Sequence, residues 1–160
     1  MPAKPTNIVI AGLGGQGVLK ASDMLADALF LAGHDVKKSE IHGMSQRGGS
    51  VRSDVRFGER VDSPMVPAGE ADYLVVQAMS QVEVHRPCLC AAGVLLAAEL
   101  VDEAALPSRK SLNVALLGVL SRHVTLPPEC WHEAIRRNLD PKLHAVNLQA
   151  FDLGREAQGR

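Results

Sequence analysis

Residues 7–17 read Asn-Ile-Val-Ile-Ala-Gly-Leu-Gly-Gly-Gln-Gly, a short apolar run that passes directly into a glycine-rich turn. Ile8, Val9 and Ile10 form the segment expected of a parallel strand covered on both faces. Gly12, Gly14 and Gly17 then satisfy G-x-G-x-x-G. That spacing uses glycine for a tight turn, for close approach of backbone N–H groups to an anion, and for close packing of helix on strand. Directly behind it, Val18, Ala21, Leu25, Ala28, Leu29 and Ala32 recur at helical spacing until Gly33 stops the helix. The chain thus begins as strand, glycine loop, helix, and Gly12, Gly14, Gly15, Gln16 and Gly17 are the first candidate binding residues. A tight turn that holds no ligand is the plain alternative.

With 160 residues, 46% of them hydrophobic, the chain can bury one substantial core, and residues 1–160 are expected to form a single domain. A formal net charge of −1 supplies no field for nucleic acid or an anionic membrane, and 3% aromatics leave few platforms for stacking bases. No window approaches the ~18 continuous apolar residues of a membrane span, and no apolar targeting segment follows a charged start. Neither nucleic acid nor membrane is expected as a partner, and a cytoplasmic protein is.

Three cysteines, Cys88, Cys90 and Cys130, are too few for a disulfide framework or an iron–sulfur cluster and fit a reducing compartment. His85, Cys88 and Cys90 form H-x-x-C-x-C, which is a candidate for a soft metal. The spacing is unlike the usual C-x-x-C pair, and small buried hydrophobes are the favoured reading, so no metal is expected.

Downstream the pattern alternates strand and helix. Residues 34–41 read as a second strand and 42–49 as a polar, glycine-rich loop. From Ser50 the period becomes two, with Val51, Ser53, Val55 and Phe57 on one face and Arg52, Asp54 and Arg56 on the other. Gly58-Glu59 reads as a turn into residues 60–63, which makes an inserted β-hairpin of 50–63. Buried strands are expected at 73–77 and 93–98, with a short helix at 82–86. Further helices are expected over 112–123, with Leu112, Leu116, Val119 and Leu120 inward, and from Pro127, with Trp131 and Ile135 on one face. The last helix has Asp140 as cap, Pro141 in its first turn and Gly154 as left-handed stop, with Leu143, Val146, Ala150 and Leu153 as its apolar stripe. The fold class is α/β, Rossmann-like, with a mostly parallel sheet, flanking helices and the inserted hairpin.

The second informative region is 39–56, Ser-Glu-Ile-His-Gly-Met-Ser-Gln-Arg-Gly-Gly-Ser-Val-Arg-Ser-Asp-Val-Arg. A polar loop after the second strand emerges at the carboxyl edge of such a sheet, beside the first glycine loop, so the two are expected to face one site. Ser45 and Gln46 offer neutral hydrogen bonds, Gly48 and Gly49 offer backbone freedom, and Ser50 closes the loop. Arg47 offers a planar donor fork suited to phosphate or carboxylate. Arg56 and Arg60 read instead as solvating the exposed hairpin face. His42 is a candidate general acid or base, although no nucleophile elbow or catalytic constellation accompanies it.

Taken together, Gly12-Leu13-Gly14-Gly15-Gln16-Gly17 and 39–51, followed by Phe57-Gly58, Ser63-Pro64, residues 69–72, 113–118, Lys142, Asn147, Ala150, Phe151 and Gly154, resemble the gamma-type module of 2-oxoacid:ferredoxin oxidoreductases, and within it most the beta subunits of the indolepyruvate enzymes. The chain departs from that pattern between 98 and 113, where members of the family carry a longer segment with another strand. The resemblance implies a subunit of an enzyme that oxidatively decarboxylates a 2-oxoacid with coenzyme A, giving an acyl-CoA, carbon dioxide and reduced ferredoxin. It further implies that thiamine diphosphate and the [4Fe-4S] clusters reside in a large partner subunit. This chain, which has no diphosphate motif of its own, would complete and cover the active site and reach ferredoxin only through the complex.

Two other readings stand beside this one. A free-standing Rossmann protein would bind NAD or FAD, with Glu40 at the end of the second strand on a ribose hydroxyl. A non-catalytic assembly module would use the same fold purely as an interface.

Overall fold

In the computed structural model, residues 3–42 and 48–157 are described. The order of elements is β1 (Thr6–Leu13), α1 (Val18–Leu31), β2 (Asp35–His42), β3 (Ser50–Gly58), β4 (Ala71–Val76), α2 (Val82–His85), β5 (Leu89–Ala97), α3 (Leu112–Leu120), α4 (Pro128–Asn138) and α5 (His144–Glu156), joined in places by single 3-10 turns. The five strands form one sheet in the order β2-β3-β1-β4-β5. β1 pairs parallel with β4, and β4 parallel with β5, whereas β3 runs antiparallel to both β1 and β2. Four strands therefore share one direction, and β3 alone opposes them.

This corrects the position of the hairpin. Its arms are β2 and β3, paired from Asp35 with Gly58 to His42 with Val51, and residues 60–63 are not a strand. The polar loop is thus the hairpin tip. Because β2 runs with β1, that tip still emerges at the carboxyl edge, and Ser50 pairs with Leu13 where the glycine loop begins.

The alternation of β3 holds. Val55 and Phe57 join Ile8 and Ile10 of β1 under α1, while Asp54 is buried on the opposite face. α1, α3, α4 and α5 all pack on that first face. The second face, lined by Val9, Ala11, Leu74 and Val76, is closed by Val66, Val82 and Cys88 from much shorter segments.

Two expectations for the helices are overturned by one contact. α3 is buried on every side rather than along a stripe, and it ends at Leu120. Against it lies α5, whose inward residues are Asn147, Ala150, Phe151 and Gly154, so the expected stripe of Leu143, Val146, Ala150 and Leu153 is out of phase at three of its four positions. Gly154 is no left-handed stop. It sits inside α5, where an added Cβ would overlap the carbonyl oxygen of Ala115, and a Cβ on Gly118 would overlap that of Phe151. The glycines let two helix backbones touch. Asp140 makes no side-chain cap, and α5 is preceded by a 3-10 turn from Pro141 to Leu143. Trp131 and Ile135 are buried as expected, with the Trp131 ring 5.6 Å from that of Phe151.

Candidate functional site

The glycine loop is shaped by its own residues before any ligand is considered. Leu13 N–H donates to Gln16 Oε1 at 2.7 Å, and Gln16 Nε2 reaches Gln77 O at 3.4 Å. In return Gln77 Nε2 donates to Gln16 O at 2.8 Å, while its own N–H donates to Ala11 O at 2.9 Å. Gln16 is therefore folded back into the turn, and its carboxamide clamps β1 to the end of β4. Gly17 has φ 77°, a left-handed conformation, and a Cβ there would lie 2.6 Å from Asn113 Nδ2. That amide donates to Gly17 O at 3.2 Å, so α3 braces the start of α1.

The two loops do meet. Gly14 N–H donates to Gly49 O at 2.8 Å, and a Cβ on Gly14 would lie 3.2 Å from Gly48 N. The absence of a side chain at Gly14 thus makes room for the hairpin tip, not for a positive φ. With Gly14, Gln16 and Leu13 occupied, the N–H groups of Gly15, Gly17, Val18, Leu19 and Lys20 have no partner among the described residues. The last three are the donors a helix leaves open in its first turn. They border a cleft of about 270 Å³ lined by Leu13, Val18, Leu19 and Val51 together with Gly14, Gly15, Gly17 and Lys20. Aliphatic walls, a row of backbone donors and one ammonium suit a ligand with an apolar arm and an anionic end. Lys20 is the residue that sequence reasoning missed. It lies at the third position of α1, and its charge gains meaning only once the loop's free donors are located.

The remaining candidates fall as follows. Ser45, Gln46 and Arg47 lie outside the described residues, as does the side chain of His42, whose backbone ends β2. Gly48 and Gly49 sit at the tip against Gly14. Ser50 turns to the opposite face of the sheet, where its Oγ is 3.1 Å from Nε2 of His85 on α2. His85 is 9% exposed, and burial, with the Arg52 charge second, holds its ring below the usual histidine value.

Arg52 binds Asp54 through Nε at 2.7 Å and the second guanidinium arm at 3.2 Å, and Val66 N–H donates to the same carboxylate at 2.9 Å. Arg56 does not merely solvate the hairpin. Its Nε donates to Asn7 Oδ1 at 2.7 Å and its terminal nitrogen to Ser63 O at 2.9 Å. Arg60 stays exposed beside Asp62.

The H-x-x-C-x-C residues are parted. Cys88 is buried, and that burial pushes its thiol up, Cys90 lies in β5, and the His85 ring faces Ser50. No group of three metal-binding side chains occurs among the described residues. Glu40, the ribose candidate, receives Lys38 Nζ at 2.6 Å on an edge strand, and β3 lies between β1 and β2 where a Rossmann unit pairs the first two strands directly.

Solved structures place this architecture. The chain superposes with a TM-score of 0.81 on the keto/oxoacid ferredoxin oxidoreductase gamma subunit from Geobacter sulfurreducens, at 20% identity and covering 97% of each chain. It also matches 2-oxoglutarate:ferredoxin oxidoreductase from Magnetococcus marinus, a structure with 2-oxoglutarate, coenzyme A and succinyl-CoA bound. There the TM-score is 0.77 at 19% identity, over 96% of this chain and 31% of that one. The fold is that of an oxoacid oxidoreductase gamma subunit.

Residues 7–108 match the pyruvate ferredoxin/flavodoxin oxidoreductase family. Among curated relatives, the indolepyruvate oxidoreductase subunit IorB of Pyrococcus horikoshii is 34% identical over 194 aligned positions, covering 96% of both chains. The chain belongs to the pyruvate ferredoxin/flavodoxin oxidoreductase family and is a subunit of a 2-oxoacid:ferredoxin oxidoreductase. Because 194 positions exceed its 160 residues, the relative holds residues with no counterpart here.

Proposed function

We propose that this chain, acting as one domain over residues 1–160, completes the active site of an enzyme that oxidises an aryl pyruvate of the indolepyruvate type. In that reaction a 2-oxoacid, the thiol of coenzyme A and two oxidised ferredoxins give the acyl thioester, carbon dioxide, two reduced ferredoxins and a proton. The large partner subunit would supply thiamine diphosphate and the iron–sulfur clusters, since three cysteines cannot furnish the four thiolates of a [4Fe-4S] cluster. The contribution of this chain is electrostatic and positional. Gly15, Gly17 and the first turn of α1 would take a phosphate of coenzyme A on backbone N–H groups, with Lys20 and Arg47 adding charge, while Leu13, Val18 and Val51 line the apolar arm. Ser45, Gln46 and the tip glycines Gly48 and Gly49 would close over the same end. We place the complex in the cytoplasm, where ferredoxin and free thiols coexist.

The observation that carries this reading is the set of unpartnered N–H groups around an apolar cleft with a lysine at its rim. Arg47→Lys tests it in the assembled enzyme, because an ammonium cannot reproduce a bidentate fork. A loss of roughly 1.5–3 kcal/mol, about tenfold or more, is expected in the apparent constant for coenzyme A. A rise confined to the 2-oxoacid would move Arg47 to the substrate carboxylate, a rise confined to thiamine diphosphate would assign the cradle to that diphosphate, and no change would remove Arg47 from the site.

A further inference from the structure

One buried polar contact is not used by the cleft. His85 closes α2 on the second face of the sheet, and its Nε2 meets the Ser50 hydroxyl at the first residue of β3. The next residue back, Gly49, offers the carbonyl that takes the N–H of Gly14. A continuous path therefore runs from the His85 ring through Ser50 to the glycine loop that follows β1. Ser50 and Val51 are the last pairs of the ladder with β1, and the tip beyond them joins strands by residues 43–49.

We propose that His85 is a positioning residue, a neutral ring whose Nε2 accepts the Ser50 hydroxyl and so fixes the Gly49 carbonyl against Gly14, and that protonation of the ring releases this hold.

The groups facing the ring define the sign. Arg52 on β3 lies close enough to oppose a second positive charge. Asp54 would favour one, but its oxygens are already engaged by Arg52 and by Val66 N–H. The Cys88 thiol, which follows α2, is kept protonated by burial and adds no charge. An imidazolium in this position could only donate to the Ser50 oxygen instead of accepting from it, and it would do so buried and facing the Arg52 guanidinium. The protonated ring therefore favours states in which the contact is open. Since the folded ring titrates below its ordinary value of about 6.5, the hold is complete above that pH and is lost as pH falls through the lower folded value.

Hydrogen exchange at the Gly14 amide reads the hold directly, without ligand or partner. In the full chain, the protection of Gly14, corrected for intrinsic exchange, should fall by up to about tenfold per pH unit as pH drops below about 6.5 and level off once the folded ring is itself protonated. His85→Gln keeps an acceptor for Ser50 and cannot titrate, so its Gly14 protection should stay flat with pH. Ser50→Ala, a small change at a strand end, should give low and flat protection, and the nitrogen shifts of His85 should report an unprotonated Nε2 above pH 7. An equal pH dependence in His85→Gln, a flat profile in the unmodified chain, or a proton on Nε2 would each overturn the proposal. The consequence for coenzyme A rests on the function proposed above and is measured separately, by calorimetry with coenzyme A at pH 7.5 and 5.5. If Gly14 is released while coenzyme A affinity is unchanged, the positioning role stands and the cradle is not the coenzyme A site. If both change together, both readings stand.

Discussion

The glycine loop divides its residues into those that build the turn and those left to act. Gln16 looks like a ligand contact in G-x-G-G-Q-G, yet its oxygen takes Leu13 N–H and its nitrogen reaches Gln77 O, so it behaves as part of the backbone. Gly14 likewise spends its N–H on Gly49. Replacing Gln16 with Ala should leave the part-buried Leu13 donor unpaired and lower stability by about 1–3 kcal/mol in urea unfolding. Lys20→Gln should do the reverse, because that side chain is exposed. Stability should stay within about 0.5 kcal/mol, while coenzyme A affinity falls roughly two- to fivefold at low salt, the scale of one exposed charge contact. A loss of binding in Gln16→Ala at unchanged stability would exchange the two roles. The sequence made the need for glycine legible here, since spacing alone shows where a side chain cannot fit. Which N–H groups have no partner among the described residues was not legible, because the residues that occupy the others, Gln77 and Gly49, are distant in the chain.

At the scale of elements, periodicity placed β1, α1, β3, β4 and α4 well and misassigned the partner of β3. Gly58-Glu59 has the composition of a tight turn, whereas β2 carries charge on both faces, with Lys37, Lys38 and Glu40 in eight residues, as an edge strand does. Its apolar alternation is therefore faint, and only the ladder with β3 reveals the hairpin. The same limit applies to α5. Gly154 near the end of a helix reads as a stop, and nothing local distinguishes that from a helix interior pressed against another backbone. The distinction has a measurable sign. Glycine to alanine inside an ordinary helix gains up to about 1 kcal/mol. At Gly154 the added methyl would meet the Ala115 carbonyl, so α3 and α5 must separate, and Gly154→Ala should instead lose about 1–3 kcal/mol with a lower Tm. A stabilised variant would restore Gly154 to the role of a helix terminus.

The whole molecule is lopsided in a way that bears on what it does alone. Its four long helices lie on one face of the sheet, and the cleft proposed to hold an anion sits at the carboxyl edge on that same side, beside the start of α1. Of the three cysteines, Cys88 is buried, Cys90 is on β5 and Cys130 on α4, and their number falls short of one cluster. On the function proposed above, the chain would orient a polyanionic co-substrate by fixed dipoles, a contribution realised only where a partner generates the reacting intermediate. The purified chain should therefore be colourless and should neither decarboxylate 2-oxoacids nor reduce a viologen, with or without coenzyme A. Adding the large subunit proposed above to carry thiamine diphosphate and iron–sulfur clusters should produce coenzyme A-dependent viologen reduction, fastest with aryl pyruvates. If the isolated chain showed an iron–sulfur absorption band, the division of labour argued from its cysteines would be wrong. If the large subunit alone reached the full coenzyme A-dependent rate, this chain would instead be an assembly module, and its cradle would have no part in the reaction.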